Sequence, residues 1–123
     1  MRPIILTLVL VLAGFLCGCQ PTASDLAGKG ITAFQVGDLD EAESLLEASL
    51  VRDPGQVDAL YYMGRIQHAE GFLEQAIYYY QCALDENPGY EPAEIWLARA
   101  IAQRNRPGED LIFLPEPAEA NSP

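Results

Sequence analysis

The sequence repeats itself between residues 23 and 104, at the fixed spacing that separates Leu26 from Leu60. Between the first copy and the second, eight pairs of identical residues fall in this single register with no gap. They are Leu26 and Leu60, Gly30 and Gly64, Gly37 and Gly71, Leu39 and Leu73, Ala42 and Ala76, Leu50 and Leu84, Pro54 and Pro88, and Gly55 and Gly89. A fixed period of this length is typical of repeat architectures, in which each unit buries its apolar face against its neighbours.

The pattern inside each copy resembles the tetratricopeptide repeat, a unit of two antiparallel helices. That family places small residues where the two helices meet and a proline after the second helix. The matching residues are Gly30 and Ala42 with Pro54 in the first copy, and Gly64 and Ala76 with Pro88 in the second. Small residues let helices approach closely, and proline ends the second helix. The turns within the two units fall at Gly37 and Gly71, and Asp38 with Glu41 predicts a capping box.

A third copy begins at Glu91 and stops, because residues 105–108 read Asn-Arg-Pro-Gly and end the helix. The sequence therefore predicts an all-α fold, a short tetratricopeptide-repeat solenoid of about five antiparallel helices. Repeat 1 is expected at residues 23–56, repeat 2 at 57–90 and a closing helix at 91–104. About three repeats are usually needed for stability, so we expect this array to depend on a partner or on a second copy as a homodimer.

The N-terminal segment predicts export and lipidation. Met1-Arg2 is followed by an apolar run, Ile4 to Leu16, which has the length of a signal-peptide core. Residues 16–19, Leu-Cys-Gly-Cys, resemble the bacterial lipobox, which implies cleavage after residue 18 and acylation of Cys19. Residues 1–18 are then the signal peptide and 19–22 an acylated tether. The expected location is a bacterial membrane, facing the envelope, and the outer membrane if the cell has one.

The charge limits the classes of partner. Removal of residues 1–18 also removes Arg2, which changes the net charge from −11 to −12. A surface this acidic repels nucleic acid and anionic headgroups, and membrane affinity must therefore come from the acyl chains on Cys19. With Cys17 removed and Cys19 modified, Cys82 is left alone, which excludes a disulfide framework.

The residues after the repeats form a different segment. Residues 105–123 are predicted to be an acidic, proline-rich and disordered tail. Residues 109–123 hold four acids, three prolines and no base, around an apolar quartet, Leu111 to Leu114. The quartet has two interpretations: it packs on the last exposed helix face, or it docks on another protein.

Little in the sequence indicates catalysis. A single histidine leaves too little material for the usual zinc sets or a Ser-His-Asp triad, so we expect no enzyme, no metal and no cofactor. The resemblance instead implies protein binding in a groove lined by the first helix of each repeat. The implied groove residues are Asp58, Tyr61, Arg65, His68, Ile95, Arg99 and Gln103.

Arg65 and Arg99 are separated by one repeat period and are expected to lie at equivalent places on one wall of the groove. A pair of guanidinium groups there suits an extended peptide that carries a carboxylate. The alternative is that both arginines pair with acids of this chain. Two functions follow: a membrane-anchored, non-catalytic adaptor that holds another envelope protein, or an accessory subunit of an envelope enzyme, secretion or transport complex.

Overall fold

The computed structural model describes residues 18–107, and these fold into five α-helices. In chain order they are α1 (Ala23–Gln35), α2 (Leu39–Arg52), α3 (Val57–Ala69), α4 (Leu73–Glu86) and α5 (Glu91–Asn105). Each helix packs against the next one along the chain, and α3 also packs against α1 and α5. The prediction of an all-α repeat array of about five helices is confirmed. Residues 1–17, which hold nearly all of the predicted signal peptide, and residues 108–123 lie outside the described residues.

Small residues set the distance between the paired helices, as the repeat pattern predicts. A Cβ placed on Gly30 would lie 2.8 Å from Leu46 Cγ, and one on Gly64 would lie 2.5 Å from Tyr80 Cε1. Ala42 and Ala76 are fully buried. Glycine at residues 30 and 64 therefore lets the bulky side chain of the following helix pack directly against the backbone.

The turns and helix starts follow local chemistry. Gly37 and Gly71 have φ of 85° and 86°, in the left-handed region that only glycine adopts without strain. Asp38 accepts the Glu41 N–H at 3.1 Å, while the complete reciprocal capping box forms at the start of α1, between Thr22 and Asp25. Each of α2 and α4 ends two residues before a proline, Pro54 or Pro88.

Two apolar clusters form the core. One lies between α1, α2 and α3 around Leu46, Met63 and Ile66; the other lies between α3, α4 and α5 around Tyr80 and Ala93. Leu50, Tyr62 and Tyr79 pack against both clusters, so the core is continuous along the array. Cys82 is half-buried against the second cluster. Within residues 18–107, no helix has the length and apolar character needed to cross a membrane.

The start of α1 is tied to the end of α2. Ser49 is fully buried and its hydroxyl donates a 2.7 Å hydrogen bond to the Ala23 carbonyl oxygen. One turn further along α2, Arg52 donates to the side-chain oxygen of Gln20 at 2.9 Å. Cys19 is exposed immediately before these contacts. The chain is therefore held in place from Gln20 onwards.

Candidate functional site

The first helix of each unit contributes to one face of the array, the groove. Because α3 packs against both α1 and α5, the side chains of these three helices meet there. Phe34 of α1 stacks edge-on against Tyr62 of α3, with 5.3 Å between ring centroids. On the other side of α3, Arg65 reaches over Trp96 of α5. The groove is therefore lined by aromatic rings along its length and by cationic groups at its α3–α5 end.

Two arginines converge on one tryptophan at that end. The guanidinium carbon of Arg65 lies 3.8 Å from the Trp96 ring centroid, and that of Arg99 lies 4.3 Å from it. His68 meets the same ring edge-on at 5.2 Å. We call Arg65, His68, Trp96 and Arg99 the Trp96 site. The repeat register thus brings Arg65 and Arg99 to a common place, as their separation by one period predicts.

Arg65 is held by more than the tryptophan. Its Nη1 donates a 2.9 Å hydrogen bond to the Tyr61 hydroxyl, and its guanidinium carbon lies 5.4 Å from the Phe34 ring centroid. The side chain is only 9% exposed. Aromatic faces attract a cation most strongly when water is excluded, so the surroundings fix the position of this charge in the groove.

His68 bridges the two sides of the site. Its Nε2 donates to the Gln103 side-chain oxygen at 2.8 Å, and the other ring nitrogen, Nδ1, lies 3.5 Å from the Tyr80 hydroxyl. Burial lowers the pKa of His68, and the charges of Arg65 and Arg99 lower it further, while the Gln103 bond acts in the opposite direction. The imidazole therefore stays neutral to a lower pH than an ordinary histidine, and the arginines supply the positive charge.

Trp96 has a donor that the described residues do not satisfy. The side chain is 8% exposed, and its indole Nε1 is buried with no hydrogen-bond acceptor among residues 18–107. A buried donor without an acceptor costs about 1–3 kcal/mol. A ligand with a carbonyl or carboxylate oxygen would remove that cost.

The seven predicted groove residues fall into three groups. Arg65, His68, Arg99 and Gln103 come together at the α3–α5 end. Tyr61 is 4% exposed and belongs to the core, where its hydroxyl accepts the hydrogen bond from Arg65. The remaining two, Asp58 and Ile95, lie elsewhere.

Asp58 lies at the start of α3, where its carboxylate accepts a 3.0 Å hydrogen bond from the Tyr90 hydroxyl. Burial, together with this carboxylate, raises the pKa of Tyr90 and keeps it a donor. Ile95 is half-buried near the start of α5. Asp58 is therefore engaged with the turn before α5, and no described contact places it at the Trp96 site.

Two aromatic residues of the groove, Tyr62 and Trp96, are absent from the sequence prediction, as is Tyr90 beside Asp58. Tyr62 and Trp96 are separated by one repeat period, in the same register as the two arginines, and that recurrence could have identified them. Tyr90 lies in the turn between α4 and α5, outside the helix positions that the family pattern assigns to the groove. Within residues 18–107, no three histidine, cysteine or acidic side chains are grouped in a way that could hold a metal ion.

Comparison with known proteins agrees with this geometry. A family profile described as "Tetratricopeptide repeat" matches residues 28–91, just over half of the chain. The match runs from within α1 to the first residue of α5, so it includes both helix pairs. No curated protein matches the sequence.

Proposed function

Because the chain belongs to the tetratricopeptide repeat family, we propose that it is a non-catalytic adaptor that holds a segment of another envelope protein in its groove. The repeats give it a role in protein–protein interaction. The bound segment is extended, and it presents acidic and apolar side chains to the Trp96 site. Acyl chains on Cys19 attach the adaptor to a bacterial membrane, the outer membrane where the cell has one.

The observation that carries this proposal is the convergence of Arg65 and Arg99 on Trp96. Planar guanidinium groups bind carboxylates through two parallel hydrogen bonds, and they do so best when their position is fixed. The indole and the neighbouring rings supply apolar surface beside the charges. Two of the few basic residues in this acidic chain lie within 4.3 Å of one ring centroid, which supports recognition of an acidic segment.

The support for anchoring comes from the chain before α1. Cys19 is exposed, and the sequence before it combines an apolar run with the lipobox-like residues 16–19. The repeat array itself carries a strongly negative charge, which gives it no attraction to anionic lipid. Stable attachment therefore requires the acyl chains.

Photo-cross-linking in intact membranes tests the binding face. A cross-linking amino acid in place of Gln103 lies at the Trp96 site, because Gln103 contacts His68. The matched control replaces Tyr78, which is 62% exposed on α4, a helix that lines no part of the groove. We expect one discrete adduct from residue 103, absent from residue 78, that is lost when Arg65→Ala and Arg99→Ala are added. Equal adducts from both positions would place the binding face elsewhere.

A further inference from the structure

We infer that residues 109–123 of this chain dock onto the Trp96 site of its own groove and compete there with the partner segment. This rests on the proposed function in one respect: both assign the groove to an extended acidic and apolar segment. The occupant is specified by sequence, since residues 109–123 lie outside the described residues. Four features of the molecule support it.

Charge and polarity are complementary. Residues 109–123 hold four acids and no base, and Glu109 and Asp110 directly precede the apolar quartet of residues 111–114. The Trp96 site offers the complementary groups: two guanidinium groups for the acids and an indole ring for the apolar side chains. Because acids and apolar side chains are adjacent in the segment, both can be satisfied over a short length of groove.

The distances match without a long linker. Along α5, Arg99 lies about 9 Å and Trp96 about 14 Å back from Asn105, at 1.5 Å per residue. A chain that reverses after Pro107 and runs extended along α5 covers about 10 Å by Asp110 and about 13–17 Å by Leu111 and Ile112. The acids therefore reach the level of Arg99, and the quartet reaches the level of Trp96.

The reversal itself has suitable chemistry and position. Pro107 and Gly108 directly follow the bend at the end of α5, and a Pro-Gly pair is a common turn sequence. Gln103, in the last turn of α5, is bonded to His68 of α3. The point where the chain leaves α5 is therefore at the rim of the groove.

The buried indole N–H of Trp96 distinguishes this path from the alternative. An extended backbone along α5 offers a carbonyl oxygen at every residue, and one of them can accept from Nε1. If the quartet instead covered the face of α5 that carries Ala98, the register equivalent of Gly64, it would leave that donor unsatisfied. The groove path satisfies the donor and also brings the acids of the segment to the level of the two guanidinium groups.

Trp96 is the only tryptophan, so its fluorescence reports directly on whether a segment of chain covers the site. The test compares the full mature chain in detergent with Ile112→Ser plus Phe113→Ser. Relative to wild type, we expect the variant to show a red-shifted emission and an acrylamide quenching constant at least about twofold higher. The reason is that fewer molecules have the segment docked over Trp96. The matched control, Asn121→Ala plus Ser122→Ala, should behave as wild type. Far-UV circular dichroism establishes that both variants keep their helices.

A peptide spanning residues 108–118, added to the serine variant, should lower the acrylamide quenching constant of Trp96 to the wild-type value. We call this protection of Trp96 from acrylamide shielding. The peptide should not restore shielding when Arg65→Ala and Arg99→Ala are also present. Quenching that is the same in wild type and the serine variant would overturn the inference. Shielding that disappears on dilution would also overturn it, because the segment would then come from a second copy.

Cross-linking from residue 103 separates this inference from the proposed function. If the segment covers the groove, the serine variant should give more partner adduct than wild type. Unchanged quenching with a persistent adduct refutes the docked segment and leaves the adaptor role intact. Loss of shielding with no adduct in either protein supports the docked segment and refutes the adaptor role.

Discussion

The guanidinium carbon of Arg65 lies 3.8 Å from the centroid of Trp96, and the two residues belong to different units of the array, α3 and α5. The contact joins the second repeat to the closing helix across the groove. Arg65 also donates to the Tyr61 hydroxyl of its own helix. One side chain therefore both joins the last two units of the stack and carries a charge that the proposed function assigns to binding.

Replacement of Arg65 by methionine keeps much of the volume and removes the charge and the hydrogen bond. We expect a loss of about 1–3 kcal/mol in the free energy of unfolding, since a desolvated cation–π contact and a buried hydrogen bond are both lost. Urea denaturation followed by circular dichroism measures it. Arg104→Met is the control, because its exposed ion pair with Glu74, at 3.5 Å, contributes about 0–1 kcal/mol. Equal losses in the two variants would contradict a special role for Arg65.

Two glycine-to-alanine substitutions should change the free energy of unfolding in opposite directions. A methyl group at Gly64 would meet the Tyr80 ring at 2.5 Å, so Gly64→Ala should destabilise by about 1–3 kcal/mol. At Gly28, within α1, the corresponding space is empty, so Gly28→Ala should stabilise by up to about 1 kcal/mol. Thermal melts of both variants measure the two shifts. A melting temperature that rises in both would show that helices α3 and α4 can separate at no cost.

His68 should make the fold less stable at mildly acidic pH. Its pKa is lowered in the folded protein from 6.5, chiefly by burial, so the unfolded chain takes up the proton first. The contribution of neutral His68 is therefore complete above about pH 6.5 and is lost as the pH falls towards the lowered folded pKa. His68→Gln removes this dependence. The difference in unfolding free energy between variant and wild type should move in favour of the variant between pH 7 and pH 5, whereas parallel profiles would exclude the effect.

The proposed anchor depends on one thiol. Cys19→Ser should abolish incorporation of labelled palmitate, and it should leave the protein either unprocessed or outside the membrane fraction, because acyl chains are the only strong membrane affinity assigned to it. Cys82→Ser is the matched control, since that cysteine is half-buried on α4. Labelling that is equal in wild type and Cys19→Ser would refute the assignment.

The repeat period made much of this fold predictable. Gly64 and Ala76 recur one period after Gly30 and Ala42, and this spacing fixes both the pairing of the helices and the face on which they meet. Turn chemistry at Gly37 and Gly71 is equally local, because a positive φ needs glycine. These features depend on neighbours close in sequence, so a periodic pattern records them.

The groove was only partly predictable, for a physical reason. The register predicts that Arg65 and Arg99 meet, but it does not predict that Trp96 is the residue on which they meet. Trp96 belongs both to the second core cluster and to the groove face, and its contacts with the arginines depend on how α3 packs against α5, which the sequence of α5 alone does not show. The contact between Tyr90 and Asp58 depends likewise on how a turn folds back across α3.

The contacts between the first described residues and α2 have a consequence for how the proposed adaptor would meet a partner. Only three residues separate Cys19 from the start of α1, and Gln20 is already bonded to Arg52. If Cys19 is acylated as proposed, the four steps to Ala23 span about 13 Å at most, which would hold the start of α1 close to the bilayer. A partner on the same membrane then meets the groove at an effective concentration that reaches the millimolar range for a short tether. Weak intrinsic affinity would be sufficient for such a partner and insufficient for one that diffuses freely.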